Sequence, residues 1–211
     1  MSEGVRRGQK MSQAVQTITF KGSVAMVTEF LGFAIYSILY QRGVYPQEVF
    51  EQVKRYGIPL MISTDSDLNA YLAELLQQVA MWVTADKVRK LVMIVADGAE
   101  SNVVVERWAF DILAEETKGM IATTRTDAEL QREIQAVMRQ ITASVAYLPL
   151  LPEGCVFDLL VYTEMDAELP SNTWELSDPR LIPCSSEVKL RSFTTNFHRV
   201  NASVTYREDA A

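Results

Sequence analysis

Few residues in this chain have the type and spacing that chemistry demands. The single histidine, His198, could serve alone as an acid or base. No serine or cysteine near it lies in an activating motif, and one histidine excludes H-E-x-x-H and every multi-histidine metal site. A solitary histidine in a strand reads more readily as a half-buried side chain with one hydrogen-bond partner. Cys155 and Cys184 stand 29 positions apart and form no C-x-x-C pair, so in a reducing compartment they read as free thiols. Asp65-Ser66-Asp67 has the look of a metal-diphosphate carboxylate pair, but it sits where a helix begins, and acids there oppose the macrodipole. Glu115-Glu116 reads as a charge pair in a solvated loop. The nine glycines are never closer than four positions apart, which removes G-x-G loops, and neither a P-loop nor a nucleophile elbow is present. What is left to an enzyme is a carboxylate-dependent hydrolase on Asp65, Asp67 or the Glu115–Glu116 pair. The chain reads better as a non-enzyme without a cofactor.

Composition narrows the remaining classes. The 211 residues are 48% apolar and 22% charged, enough for one compact domain. With 20 basic and 27 acidic residues the net charge is −7. A protein that coats duplexes needs a basic surface to release counterions, so nucleic acid is not an expected partner. The longest uncharged stretch, Gln140 to Pro152, has 13 residues. That falls short of the roughly 20 needed to cross a bilayer, so no membrane partner is expected. Residues 1–16 are polar and aperiodic, with Arg6, Arg7 and Lys10 and no apolar core of a signal peptide. They read as a flexible tail on a cytosolic or nuclear chain.

The elements follow from periodicity. Thr17 to Phe20 alternates and could pair at a sheet edge. A helix capped by Ser23 runs to Gly43, with Val24, Val27, Leu31, Ala34, Ile35, Ile38 and Leu39 at helical spacing. Its apolar surface, widened by Phe30, Phe33 and Tyr36, predicts a central core helix. A short helix is predicted from Pro46 to Gly57. A third, capped by Thr64 or Asp65, carries Leu68, Tyr71, Leu72, Leu75, Leu76, Val79 and Val83 on one stripe. Lys90–Ala96 reads as a buried strand, and Asp97-Gly98 opens a hairpin whose second arm holds Val104 to Ile112. Residues 114–126 form a polar loop. A long helix spans Asp127 to Tyr147, with Leu130, Ile134, Val137, Ile141 and Val145 inward and Pro149 ending it. Its outward face of Arg132, Ala136, Arg139, Gln140 and Ala143 suits either an interface or a lightly charged surface. Cys155–Thr163 is a strand. A connector over 164–186 contains Pro170, Trp174, Pro179 and Pro183, and strand-like alternation returns over Glu187–Val200 and Ala202–Tyr206. The order predicts an α+β fold: three main helices on one face of a mainly antiparallel sheet.

The connector is unusual. Twenty-three residues without regular structure inside a compact domain are generally functional or mobile. Ordering them requires apolar burial that Trp174 and Leu181-Ile182 supply only in part. Extended, they reach about 70 Å, ample to strap across a domain roughly 40 Å wide. The final strand has two faces of similar polarity, so its register is weakly specified.

Specific segments resemble a known family. They are Glu29-Phe30 with Ser37-Ile38-Leu39-Tyr40-Gln41-Arg42-Gly43-Val44-Tyr45-Pro46, then Glu106-Arg107-Trp108-Ala109-Phe110-Asp111, then Arg139-Gln140-Ile141-Thr142-Ala143 with Leu148-Pro149-Leu150-Leu151. Leu190-Arg191-Ser192-Phe193-Thr194-Thr195 and His198-Arg199-Val200-Asn201 complete the set. Together they look like the HORMA-domain family over about residues 17–207. The resemblance implies a tail over 1–16 and a HORMA domain over 17–207, divided into a core (17–163) and a mobile C-terminal safety belt (164–207). It implies a spindle-assembly-checkpoint adaptor that switches between open and closed conformers and traps a short linear motif as an added strand, delaying anaphase by inhibiting the anaphase-promoting complex. An adaptor of DNA repair or meiosis is the alternative within the family. Implied peptide-binding residues are Leu159, Leu160, Val161, Tyr162, Thr163, Trp82, Trp108, Trp174, Phe193, Phe197 and His198. Open and closed copies would associate through Arg139, Gln140, Ala143 and Tyr147. Implied partners are the kinetochore receptor Mad-one, the co-activator of the anaphase-promoting complex, and a comet-type adaptor with an AAA+ remodelling ATPase that engages the N-terminal segment. The implied location is the nucleus and kinetochore, and also the cytoplasm. Tyr147 replaces the family's phenylalanine, Ala202 its serine, and the leading tail is longer.

Overall fold

Thr19, not Ser23, starts the first helix. In the computed structural model, which describes residues 18–99, 103–115, 126–170 and 174–208, its side chain accepts from Gly22 N and caps α1, Phe20–Gln41. Of the alternation read as a strand at 17–20, the described residues Ile18–Phe20 are therefore a cap and a helix start, Thr17 lies outside the described residues, and Ser23 lies inside the helix, fully buried. By length and composition α1 could cross a bilayer. It is instead the core helix, with Val27, Phe30, Leu31, Ile35 and Ile38 all 0% exposed.

The predicted helix over 46–57 does not form. Gln47–Val49 makes one 3₁₀ turn, then β1 (Phe50–Arg55) and β2 (Ile58–Ser63) pair antiparallel with Arg55 opposite Ile58. Such a two-residue turn favours positive φ at both central positions. Gly57 supplies one at no cost, and Tyr56 takes φ 50°. Tyr56 is held there from outside, its hydroxyl donating to Glu29 Oε1 of α1 at 2.6 Å.

Asp65 caps α2, Ser66–Thr84. A sheet of five antiparallel strands follows: β3 (Val88–Ala96), β4 (Val104–Ala114), β5 (Val156–Thr163), β6 (Ser185–Thr194) and β7 (His198–Arg207). Their spatial order is β5-β3-β4-β7-β6. Between β4 and β5 runs α3, Asp127–Ala143, opened by a capping box of Thr126 and Glu129. It ends earlier than Tyr147, in a 3₁₀ turn over Ser144–Ala146, and Val145 faces out, 42% exposed.

The three helices cover one face of the sheet. Alternate residues Leu91, Met93 and Val95 join Phe30, Ile35, Leu72, Ile134 and Ile141 in the main core. The opposite residues, Val92, Ile94 and Ala109, form a small second cluster on the bare face. The region read as one strand from Glu187 to Val200 is two, with a turn at Thr195–Phe197. A bulge between Lys189 and Ser192 shifts the alternation by one. Leu190 and Phe193 can then both face the core, which is why neither face of the sequence reads as apolar.

Candidate functional site

β5 is the edge of the sheet, paired only with β3. Its outward backbone N–H and C=O groups form a row able to pair an extended chain, with the Leu159 N–H donating here to Asp158 Oδ1 at 2.8 Å. Phe157, Leu159 and Val161 point toward the helices, and Leu160 and Tyr162 toward the bare face.

The connector then passes around this edge. Glu164 N donates to Lys87 O at 2.8 Å, and two exposed ion pairs at 2.6 Å, Arg89–Glu164 and Lys87–Asp166, flank the departure. Exposed pairs of this kind contribute little. Stronger anchors lie on the helix side, where the Trp82 indole N–H donates to Glu168 O at 3.0 Å. The rings of Trp82 and Trp174 meet edge to face at 4.8 Å. Further on, Tyr162 donates its hydroxyl to Pro179 O at 3.4 Å, and Ile182 is buried on the bare face. The connector has thus crossed from one face to the other outside the unpaired edge.

Two cavities lie between edge and connector. One, of about 380 Å³, is lined by Tyr71, Leu75, Leu159 and Trp174 with Glu74, Asp158 and Glu175. The other, of about 350 Å³, runs along Leu159–Thr163 beneath Leu169, Trp174 and Leu176. Burial, reinforced by the Asp158 carboxylate, pushes the Tyr71 phenol up to about 12, so near neutrality its hydroxyl is a donor. Apolar walls, a free strand edge and a carboxylate rim describe a groove for an extended peptide with apolar and basic side chains.

Of the residues implied for peptide binding, Leu159, Leu160, Val161, Tyr162, Thr163, Trp82 and Trp174 are brought together here. Four are not. Trp108 is 1% exposed in the core, its indole N–H donating to Glu106 Oε2 at 3.1 Å. Phe193, also 1% exposed, packs on Phe30 with centroids 4.8 Å apart. Phe197 packs on Phe20 at 5.5 Å, and His198 bonds Ser23. β7, which carries His198, lies three strands from β5, about 14 Å across the sheet. These residues fix the hairpin to the core instead. Sequence reading missed Tyr71, Leu75, Leu169 and the role of Ile182. Only the apolar stripe of α2 pointed to the first two.

Arg139 and Ala143 on α3, and Tyr147 just after the 3₁₀ turn that follows it, are exposed. Gln140 is engaged: its side-chain oxygen accepts the N–H of Arg191, while Glu133 accepts that of Thr194 at 3.0 Å. The two side chains cover the outer edge of β6.

Chemistry elsewhere is sparse. Asp65 Oδ1 is occupied as a cap, accepting from Asp67 N at 3.0 Å and Leu68 N at 2.8 Å. Burial pushes the Cys155 thiol up, with the Asp97 carboxylate adding to it, which disfavours a nucleophilic thiolate. Among the described residues no group of three His, Cys, Asp or Glu side chains could hold a metal. Glu116 and residues 1–16 lie outside the described residues.

Fold and groove define a class that comparison identifies. A profile of the HORMA domain matches residues 23–198, and the chain belongs to that family. It is 46% identical to the mitotic spindle assembly checkpoint protein MAD2A of Dictyostelium discoideum over 191 residues, 90% of this chain and 93% of that protein. It is also 46% identical to human MAD2A over 194 residues, covering 91% and 94%. A chain in the crystal structure of the mitotic checkpoint complex superposes with a TM-score of 0.81 at 37% identity, covering 89% of this chain and 99% of that one. Caenorhabditis elegans HTP-2 bound to the HIM-3 closure motif reaches 0.78 at 11% identity, covering 92% of this chain and 93% of that one, and shares the fold.

Proposed function

We propose that this chain is a spindle-assembly-checkpoint adaptor that traps a short linear motif between β5 and a safety belt formed by residues 164–207. The observation that carries the reading is the position of the C-terminal hairpin. β7 pairs with β4 on the side of the sheet away from β5, which leaves the β5 edge open beneath the connector. This is the closed arrangement of a two-state clamp. In the open state the same hairpin would cover the β5 edge and exclude the peptide.

The partners we assign are the motifs of a Mad-one-type kinetochore receptor and of the anaphase-promoting-complex co-activator, whose sequestration delays anaphase. A comet-type adaptor with an AAA+ ATPase reopens the clamp, and the chain works at kinetochores and in the nucleus and cytoplasm. Relatives that carry the checkpoint name in animals, an amoeba, plants and yeasts at 38–46% identity favour the checkpoint over repair or meiosis. An adaptor needs no bond-making chemistry, and the capping role of Asp65 supports a non-enzyme.

Pulse-labelled hydrogen exchange tests the clamp. Adding a receptor-motif peptide should raise protection of β5 and of residues 174–184. A peptide that binds and leaves both unprotected would exclude capture at this edge.

A further inference from the structure

Among the described residues of the connector, 164–170 and 174–184, one alone is buried. Ile182 is 7% exposed, whereas its neighbour Leu181 is 68% and Leu176 is 91% exposed. Its seat is the cluster of Val92, Ile94, Val104 and Ala109 on the bare face, separate from the main core. Beside it, Tyr162 donates to Pro179 O and accepts from Arg107 Nη2 at 2.9 Å. The guanidinium carbon lies 5.9 Å from the Tyr162 ring.

The backbone around Ile182 does not favour this path by itself. Arg180 and Cys184, two residues to either side, have φ of 46° and 50°. L-residues adopt that region at a steric cost and keep it only when surrounding contacts impose it. Contacts on both sides hold the path: Arg180 Nη1 lies 4.0 Å from Asp158 Oδ2, Cys184 O accepts from Glu208 N at 3.3 Å, and Ile182 is buried between them.

We propose that Ile182 is the buckle of the clamp: its seat on the bare face sets how fast a peptide enters and leaves the groove, not how tightly it is held. The proposal rests on the peptide-clamp reading. A strand seated between β5 and the connector is enclosed from both faces, so it can pass only when the connector lifts locally, and such openings are governed by the contacts they break. Ile182 lines neither groove cavity. In the closed arrangement Ile182 is seated alike with and without peptide, so between the closed free chain and the closed loaded chain its free energy cancels from the affinity.

The probe is a fluorescein-labelled synthetic peptide selected by phage display against the wild-type chain, with stopped-flow anisotropy giving both rate constants. Ile182→Ala should raise kon and koff together by about tenfold, leaving Kd within about twofold. Ile182→Leu should restore both rates. Cys184→Asn, which tolerates positive φ better, should slow both. Trp174→Ala, which removes a side chain lining both groove cavities, should by contrast weaken Kd. Unchanged rates in Ile182→Ala, or a koff increase matched by an equal rise in Kd, would overturn the buckle. If the wild type selects no peptide, the clamp reading fails. The buckle is then judged by amide exchange over 174–184 in the peptide-free variant, where faster exchange than wild type at an equal melting temperature supports it and equal exchange refutes it.

Discussion

Ser23 Oγ lies 2.7 Å from Nδ1 of His198, and 2.6 Å from the hydroxyl of Thr195. All three side chains are buried. The contact joins the first turn of α1 to the turn of the C-terminal hairpin, and Thr195 Oγ1 in turn accepts the N–H of His198 at 2.8 Å. Burial holds the His198 imidazole below its ordinary value, with Asp86 opposing in part. The folded state thus binds fewer protons at this site than the unfolded state. Its contribution is complete above the unfolded value of about 6.5 and is lost as pH falls through the lower folded value. Protection factors of β6 and β7, taken relative to the intrinsic exchange rate at each pH, should therefore fall between about pH 7.5 and 5.5 more than those of β3. Replacing His198 with glutamine should abolish that difference. An equal loss of protection in all strands would show that the cluster does not fasten the hairpin.

Trp82 and Trp174 form the wall of the groove at 4.8 Å, and each belongs to a different side of it. Trp174→Ala removes the connector's aromatic anchor and should weaken peptide binding by roughly 10- to 100-fold, since buried aromatic anchors at interfaces contribute about 1.4 kcal/mol per tenfold and often twice that. Trp108→Ala should instead lower the melting temperature, because that indole is core. Calorimetric titration beside thermal melts separates the two. A Trp108→Ala variant that melts normally but binds no peptide would contradict the placement of these residues.

The sequence carried the core well because α1, α2 and β3 each have an apolar period long enough to outvote local exceptions. It failed where one residue decides. Ser23 looks like a cap because caps and buried serines share a residue type, and only its partners His198 and Thr195, 175 and 172 positions away, reveal the difference. The hairpin over 50–63 was hidden by Tyr56, an uncommon residue at positive φ that is held by Glu29. The bulge at 189–192 erased the alternation of β6. For the groove, the family resemblance named β5 with Trp82 and Trp174, and these lie together at one edge. Phe193, Phe197 and His198 lie away from it because a sequence does not say which sheet edge its last hairpin occupies, and Trp108 because alternation in β4 does not say which of its faces meets the helices.

Arg139 is exposed on α3 while its neighbour Gln140 is bonded to Arg191. The two should therefore behave differently when changed. Arg139→Glu should abolish self-association in light scattering and leave peptide binding unaltered. Gln140→Ala should weaken self-association and also lower the melting temperature, because it uncovers the Arg191 N–H at the edge of β6. Dimers that persist in Arg139→Glu would place the self-association surface elsewhere.

Arg42 and Glu106 form a buried ion pair, with side chains 3% and 2% exposed. Arg42 Nε donates to Glu106 Oε2 at 3.1 Å, and a second nitrogen reaches Glu106 Oε1 and the carbonyl of Pro149. The pair ties the end of α1 to β4 and to the segment after α3. Burial pushes the Glu106 carboxyl above its usual range despite the opposing guanidinium. Removing one partner leaves the other charged in a dry site, which typically costs about 3–5 kcal/mol. Glu106→Ala should therefore destabilise the chain by that order in urea titration. Glu106→Gln should cost less, because the amide oxygen still accepts from Arg42. The double replacement Arg42→Met with Glu106→Leu should recover much of the loss, since no uncompensated charge remains. A double variant as unstable as Glu106→Ala alone would mean that the hydrogen bonds the pair makes to the Pro149 carbonyl and the Trp108 indole, and not its charge, hold this corner of the fold.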